Sequence, residues 1–153
     1  KKNLSYFGNR GISGIEGSTS TALGSASVHS KTNILITGDL SFIYDQNGLW
    51  NNHIPNNLKL FVFNNQGGGI FKIISGPKNT PFLEEYFETK HELSLKSIAQ
   101  THHLNYHCAK NEKEAEQIIP SVLESNQFEI VEFFTGNVEN EKILNDYFSV
   151  IKK

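Results

Sequence analysis

Two residues of this chain pair a carboxylate with an amide oxygen at a spacing that suits cation chemistry: Asp39 and Asn65, 26 positions apart. Each closes an apolar run, NILITGD (residues 33–39) and LKLFVFNN (residues 58–65). Magnesium takes six oxygen ligands and is usually held by a few protein groups together with phosphates and water. A carboxylate, an amide oxygen and one backbone carbonyl would suit a magnesium ion bound to a diphosphate. Gly67, two residues past Asn65, can supply that carbonyl because glycine permits close approach. Ser41, two residues past Asp39, brings a hydroxyl suited to a phosphate oxygen. Taken singly, each is an ordinary turn residue, since Asp, Asn and Gly all favour turns. Their conjunction at the ends of two runs points to a ligand.

Those groups meet only if the runs become strands that lie side by side. Both runs are short, apolar and bounded by polar residues, which reads as buried strand. Small residues from Gly17 to Ser30 predict a helix that packs closely on a sheet. A helix is expected over residues 45–52, with Pro55 and Asn56 marking the turn beyond it. After the triple glycine at 67–69 comes a looser stretch from Ile70 to Glu92, containing Pro77 and Pro81. Helix, strand, helix, strand and helix then follow near 94–103, 105–108, 112–125, 128–134 and 139–151. Strands alternating with helices imply right-handed parallel crossovers. The expected fold is one α/β domain over residues 1–153, a parallel sheet with helices on both faces. Ligands of such sheets bind beyond the carboxyl ends of the strands, where Gly38-Asp39 and Asn64-Asn65 fall.

Composition narrows the classes. The chain has 153 residues, of which 37% are hydrophobic and 20% charged, a profile that excludes a disordered segment. A net charge of −2 offers no general attraction for nucleic acid or anionic membranes. Cys108 is the sole cysteine, so no disulfide forms within the chain and the cytoplasm is the expected compartment. No apolar run is long enough to span a bilayer. The absence of methionine suggests a piece of a longer chain. Arg10 is the single arginine among fourteen basic residues.

The Gly-Asp and Asn-Asn-x-Gly pattern resembles the diphosphate-binding signature of thiamine diphosphate enzymes, with Leu40 where a third glycine is usual. Three blocks, GNRGISGIEG, GDLSFIYDQNGLW and NNQGGGIF, together resemble the 2-succinyl-5-enolpyruvyl-6-hydroxy-3-cyclohexene-1-carboxylate synthase family of menaquinone biosynthesis. The matching motifs run from Asn9 to Phe71, and the likeness covers only the last of that family's three domains.

This resemblance implies that Asp39, Asn65 and the Gly67 carbonyl bind Mg2+, and that Gly38 and Ser41 contact the diphosphate. Ser13 and Gly14 would meet the aminopyrimidine, and Ile15 would wedge the cofactor into its bent shape. Arg10 aligns with a substrate-binding arginine, whose planar fork suits a carboxylate. Ile70, Phe71 and Ile74 match residues lining the substrate pocket. The implied reaction decarboxylates 2-oxoglutarate on thiamine diphosphate and adds the product to isochorismate. A glutamate from another domain of a partner subunit completes the family's site, so the enzyme is expected to be a homo-oligomer and this chain inactive alone. Alternatives are another thiamine diphosphate carboligase or 2-oxo acid decarboxylase, and a non-catalytic phosphate-binding module. No GxxxxGK[ST] pattern supports a P-loop. The histidines at 102, 103 and 107 read as surface or helix-end residues, and Tyr44 and Asp45 carry no assigned chemistry.

Overall fold

The β-branched and apolar runs form four parallel strands: β1 (Asn33–Gly38), β2 (Leu58–Asn64), β3 (Asn105–Ala109) and β4 (Glu129–Phe134). The structure, a computed structural model, describes residues 4–9, 11 and 14–151. Each strand lies within about a residue of its expected bounds, an agreement inside the usual ambiguity of element ends. The sheet order is β1-β2-β4-β3. The chain therefore steps one way across the sheet from β1 through β2 to β3, then steps back to β4.

Right-handed crossovers turn that order into a distribution of helices. Forward steps place their connections on one face, and the backward step places its helix on the other. Accordingly α1 (Ser18–Val28), α2 (Asp39–Tyr44) and α3 (Leu95–Thr101) pack with Leu58, Leu60, Val62 and Ile130 on one face. Helix α4 (Glu112–Glu124) packs Val122 with Phe61, Val131 and Phe133 on the other. Helices thus occupy both faces, but cover is incomplete over β1, where Ile34 is 48% and Ile36 67% exposed.

Asp39 does not extend β1; it opens α2, so the polypeptide turns sharply as it leaves the strand. The helix expected over 45–52 is accordingly shorter, a 3-10 segment at Gln46–Trp50. The loose stretch holds brief helical turns at Gly69–Lys72, Pro77–Asn79 and Leu83–Phe87. Helix α5 (Asn137–Ile151) closes the chain.

Helix α1 begins after Gly17, which sits at φ 79° and has no side chain to cap the first turn. Asp45 does so from a distance: its carboxylate accepts from Ser20 N at 2.6 Å and Ser20 Oγ at 2.7 Å. A carboxylate there satisfies an orphan donor and suits the helix dipole. Asp45 therefore has a structural task, which also anchors the segment after α2 to α1. His107 is not at a helix end. It lies on β3 with Nε2 3.0 Å from Glu129 Oε2, whereas His102 caps α3 and His103 follows it at φ 55°.

Candidate metal and diphosphate site

All four strands point the same way, so Gly38 and Asn64 finish at one end of the sheet, on adjacent strands. Asp39, the first residue beyond β1, is 3% exposed. Its Oδ2 accepts from Gly67 N at 3.0 Å and its Oδ1 from Leu40 N at 2.9 Å. The Gly-Asp motif and the glycine loop, 28 positions apart, are thereby joined directly.

The glycines are there for space. A Cβ on Gly67 would lie 2.8 Å from the Glu88 carbonyl oxygen, and one on Gly69 would lie 2.5 Å from Asn65 Nδ2. The loop is drawn against Glu88 by Gly68 N, which donates to the Glu88 carbonyl at 2.6 Å. Gly68 at φ −81°, ψ 69° makes an inverse γ-turn, in which Gly69 N donates to the Gly67 carbonyl at 3.1 Å. A carbonyl has two lone pairs, so one remains for a cation.

His91 completes the surroundings of Asp39, with Nε2 3.0 Å from Oδ2. Leu93 N donates to His91 Nδ1 at 3.2 Å, so Nδ1 is the acceptor and Nε2 carries the proton. Oδ2 thus accepts twice, from Gly67 N and His91, while Oδ1 accepts once. Oδ1 keeps a lone pair for a cation without displacing the histidine. Nothing in the spacing of His91, deep in the loose stretch, announced this partnership.

The donor set fits magnesium. Among the described residues no three His, Cys, Asp or Glu side chains converge to hold a metal. A cation here would therefore depend on oxygens of Asp39, Asn65 and Gly67, the hard ligands that magnesium prefers and zinc does not.

Ser41 and Ile15 also come together: Ser41 Oγ donates to the Ile15 carbonyl and lies 3.4 Å from Ser18 Oγ. This ties α2 to the loop carrying Gly14 and Ile15. Ile15 is 44% exposed, which makes its side chain available to a ligand. Ile70 and Ile74 are likewise exposed and lie outside the core, whereas Phe71 packs on Phe87 with ring centroids 5.7 Å apart. Arg10 and Ser13 fall outside the described residues.

The four-stranded parallel sheet, with its motifs at the carboxyl ends of β1 and β2, shares its α/β fold with a thiamine diphosphate enzyme. The crystal structure of benzoylformate decarboxylase from Polynucleobacter necessarius matches 68% of this chain and 19% of its own, with a TM-score of 0.57 and 16% identity. At that identity the likeness is one of fold. No family model matches the chain. Sequence goes further than fold. The 2-succinyl-5-enolpyruvyl-6-hydroxy-3-cyclohexene-1-carboxylate synthase of Christiangramia forsetii is 45% identical over 153 residues, covering 99% of this chain and 26% of the relative. The synthase of Flavobacterium psychrophilum is 45% identical over 145 residues, and that of Cytophaga hutchinsonii 42% over 154. By sequence the chain belongs to this synthase family, and it spans about a quarter of the length of these relatives.

Proposed function

We propose that this chain is the C-terminal cofactor-binding domain, residues 1–153, of a 2-succinyl-5-enolpyruvyl-6-hydroxy-3-cyclohexene-1-carboxylate synthase of menaquinone biosynthesis. The observation that carries the reading is the 3.0 Å contact between Asp39 Oδ2 and Gly67 N, which joins the two motifs. The 45% identity to the Christiangramia forsetii synthase supports the same assignment.

Asp39 Oδ1, the Asn65 amide oxygen and the Gly67 carbonyl hold Mg2+, and Gly38 lets the diphosphate approach β1. Ser41, whose hydroxyl donates to the Ile15 carbonyl, would donate to a phosphate oxygen when the cofactor is bound. Ser13 and Gly14 would offer backbone groups to the aminopyrimidine, and the exposed side chain of Ile15 would pack against the cofactor. When bound, thiamine diphosphate supplies the electron sink for decarboxylating 2-oxoglutarate and transferring the succinyl unit to isochorismate. Arg10 grips a substrate carboxylate, and Ile70, Phe71 and Ile74 exclude water from the apolar part of the pocket.

The remaining domains, with a partner subunit of a cytoplasmic homo-oligomer, provide the other half of the site. Among the described residues no helix is long and apolar enough to cross a membrane. The test is turnover of 2-oxoglutarate and isochorismate by the full-length protein beside the 153-residue chain, both with Mg2+ and thiamine diphosphate. The full-length protein should form the succinyl adduct and the chain alone should not, because loss of an acid–base partner alone costs about 10²–10⁴-fold. Turnover by the chain alone would place the catalytic half within it, and no turnover by the full-length protein would reject the synthase reading.

A further inference from the structure

Glu132 is a carboxylate in the middle of an apolar strand, 2% exposed, on the face of the sheet that carries Leu60, Val62 and Ile130. Burying an acidic group among such neighbours is costly unless its oxygens are satisfied. Here both are. Asn64 Nδ2 of β2 donates to Oε1 at 2.5 Å, and the Tyr106 hydroxyl of β3 donates to Oε2. Three adjacent strands are thus linked by polar side chains through their shared core.

The direction of these bonds fixes what Asn64 can do. Gln66 N–H can only donate, and it donates to Asn64 Oδ1 at 2.8 Å. The Asn64 NH2 must then face Glu132, which accepts it. With its amide held at both ends, Asn64 clamps the backbone two residues on. That clamp coincides with Gln66 at φ 62°, a left-handed conformation that a non-glycine residue rarely adopts. The left-handed step redirects the chain so that the next N–H, that of Gly67, points at Asp39 Oδ2. The Asn64 carbonyl is also engaged, accepting from Thr135 N at 2.9 Å beyond β4.

We propose that Glu132 is a positioning residue for the cation site: through Asn64 it sets the turn that presents Asn65 and Gly67 opposite Asp39. The proposal rests on the reading of Asp39, Asn65 and Gly67 as the metal ligands. Glu132 touches neither metal nor substrate. Partners behind a metal's ligands typically govern about 10–100-fold in affinity.

The experiment measures Mn2+ affinity by electron paramagnetic resonance in the full-length protein with thiamine diphosphate, so activity is not the readout. Four variants are compared: Glu132→Met, Glu132→Gln, Asp39→Asn and Val122→Ala. The last is a residue of α4 that packs into the core on the other face, and it reports on loss of stability without the clamp. Glu132→Met should bind Mn2+ about tenfold or more weakly. Glu132→Gln keeps an oxygen to accept from Asn64, so it should remain within about threefold of wild type. Val122→Ala should leave affinity unchanged. If Glu132→Met does not fold, Asn64→Leu, which removes the acceptor for Gln66 N, takes its place with the same expectation. Equal affinities for Glu132→Met, or its replacement, and Val122→Ala would overturn the proposal, as would equal losses in Glu132→Met and Glu132→Gln. Wild-type affinity in Asp39→Asn would instead overturn the metal reading itself, which separates the two failures.

Discussion

Gly67→Ala is the sharpest single perturbation of the proposed site. The new Cβ would stand 2.8 Å from the Glu88 carbonyl oxygen and 3.2 Å from Glu88 Cγ. Both neighbours are in place for other reasons, since Glu88 is fully buried and its carbonyl accepts from Gly68 N. Relief requires the turn to retreat by about half an ångström, the gap to ordinary van der Waals separation. Retreat lengthens the bond from Gly67 N to Asp39 Oδ2, an interaction with a charged acceptor worth about 1.5–3 kcal/mol. Loss of that amount corresponds to about 10- to 100-fold faster local opening, at about 1.4 kcal/mol per tenfold. The assay is amide hydrogen exchange of the peptide spanning residues 65–72 in the full-length protein, together with Mg2+-dependent affinity for thiamine diphosphate. Both should change together. Gly24→Ala is the control, because its Cβ meets nothing within 4 Å inside helix α1. It should stabilise that helix by roughly 0.5–1 kcal/mol and leave residues 65–72 untouched. Unchanged exchange and unchanged cofactor affinity in Gly67→Ala would refute the argument that space at Gly67 secures the turn.

Other expectations follow from the same arrangement. Arg10→Lys keeps the charge but loses the rigid fork, so the apparent KM for a dicarboxylate substrate should rise while affinity for thiamine diphosphate holds; unaltered kinetics for both substrates would remove Arg10 from the site. Burial first, and then the hydrogen bond to Glu132, push the Tyr106 phenol well above its ordinary range. The unfolded chain ionises this phenol near pH 10, so its stabilising contribution is complete below about pH 10 and is lost as the pH rises further. Near-ultraviolet titration of the folded full-length protein should therefore show the same phenolate amplitude in wild type and Tyr106→Phe up to about pH 11; an extra phenolate in wild type would contradict the burial argument.

Much of this was legible in the residues because strand ends and site residues coincide. The runs at 33–39 and 58–65 end in polar residues, so the same pattern that marks a strand boundary also places Asp39 and Asn65 at one end of the sheet. Spacing could not give the contacts that come from elsewhere in the chain. His91 reaches Asp39 across 52 positions, through a stretch with no regular period. Asp45 drew no assignment because the helix it caps lies 25 positions upstream. Glu132 did carry a signal, since a charged residue breaks the apolar run FEIVEFF at an inward position. Its partners Asn64 and Tyr106 become visible only once the order β2-β4-β3 is known. The helix expected over 45–52 is a 3-10 segment at Gln46–Trp50, separated from α2 by Asp45 alone.

On the proposed reading, the turns after β1 and β2 together hold a cation and its diphosphate. The most direct measurement is an anomalous difference map of crystals of the full-length protein soaked with Mn2+ and thiamine diphosphate. A single strong peak is expected about 2.2 Å from an Asp39 carboxylate oxygen, the Asn65 amide oxygen and the Gly67 carbonyl, near the distances of hard oxygen coordination. A peak elsewhere, with Asp39 still bonded to Gly67 N and His91 and no cation beside it, would rule out this cation site.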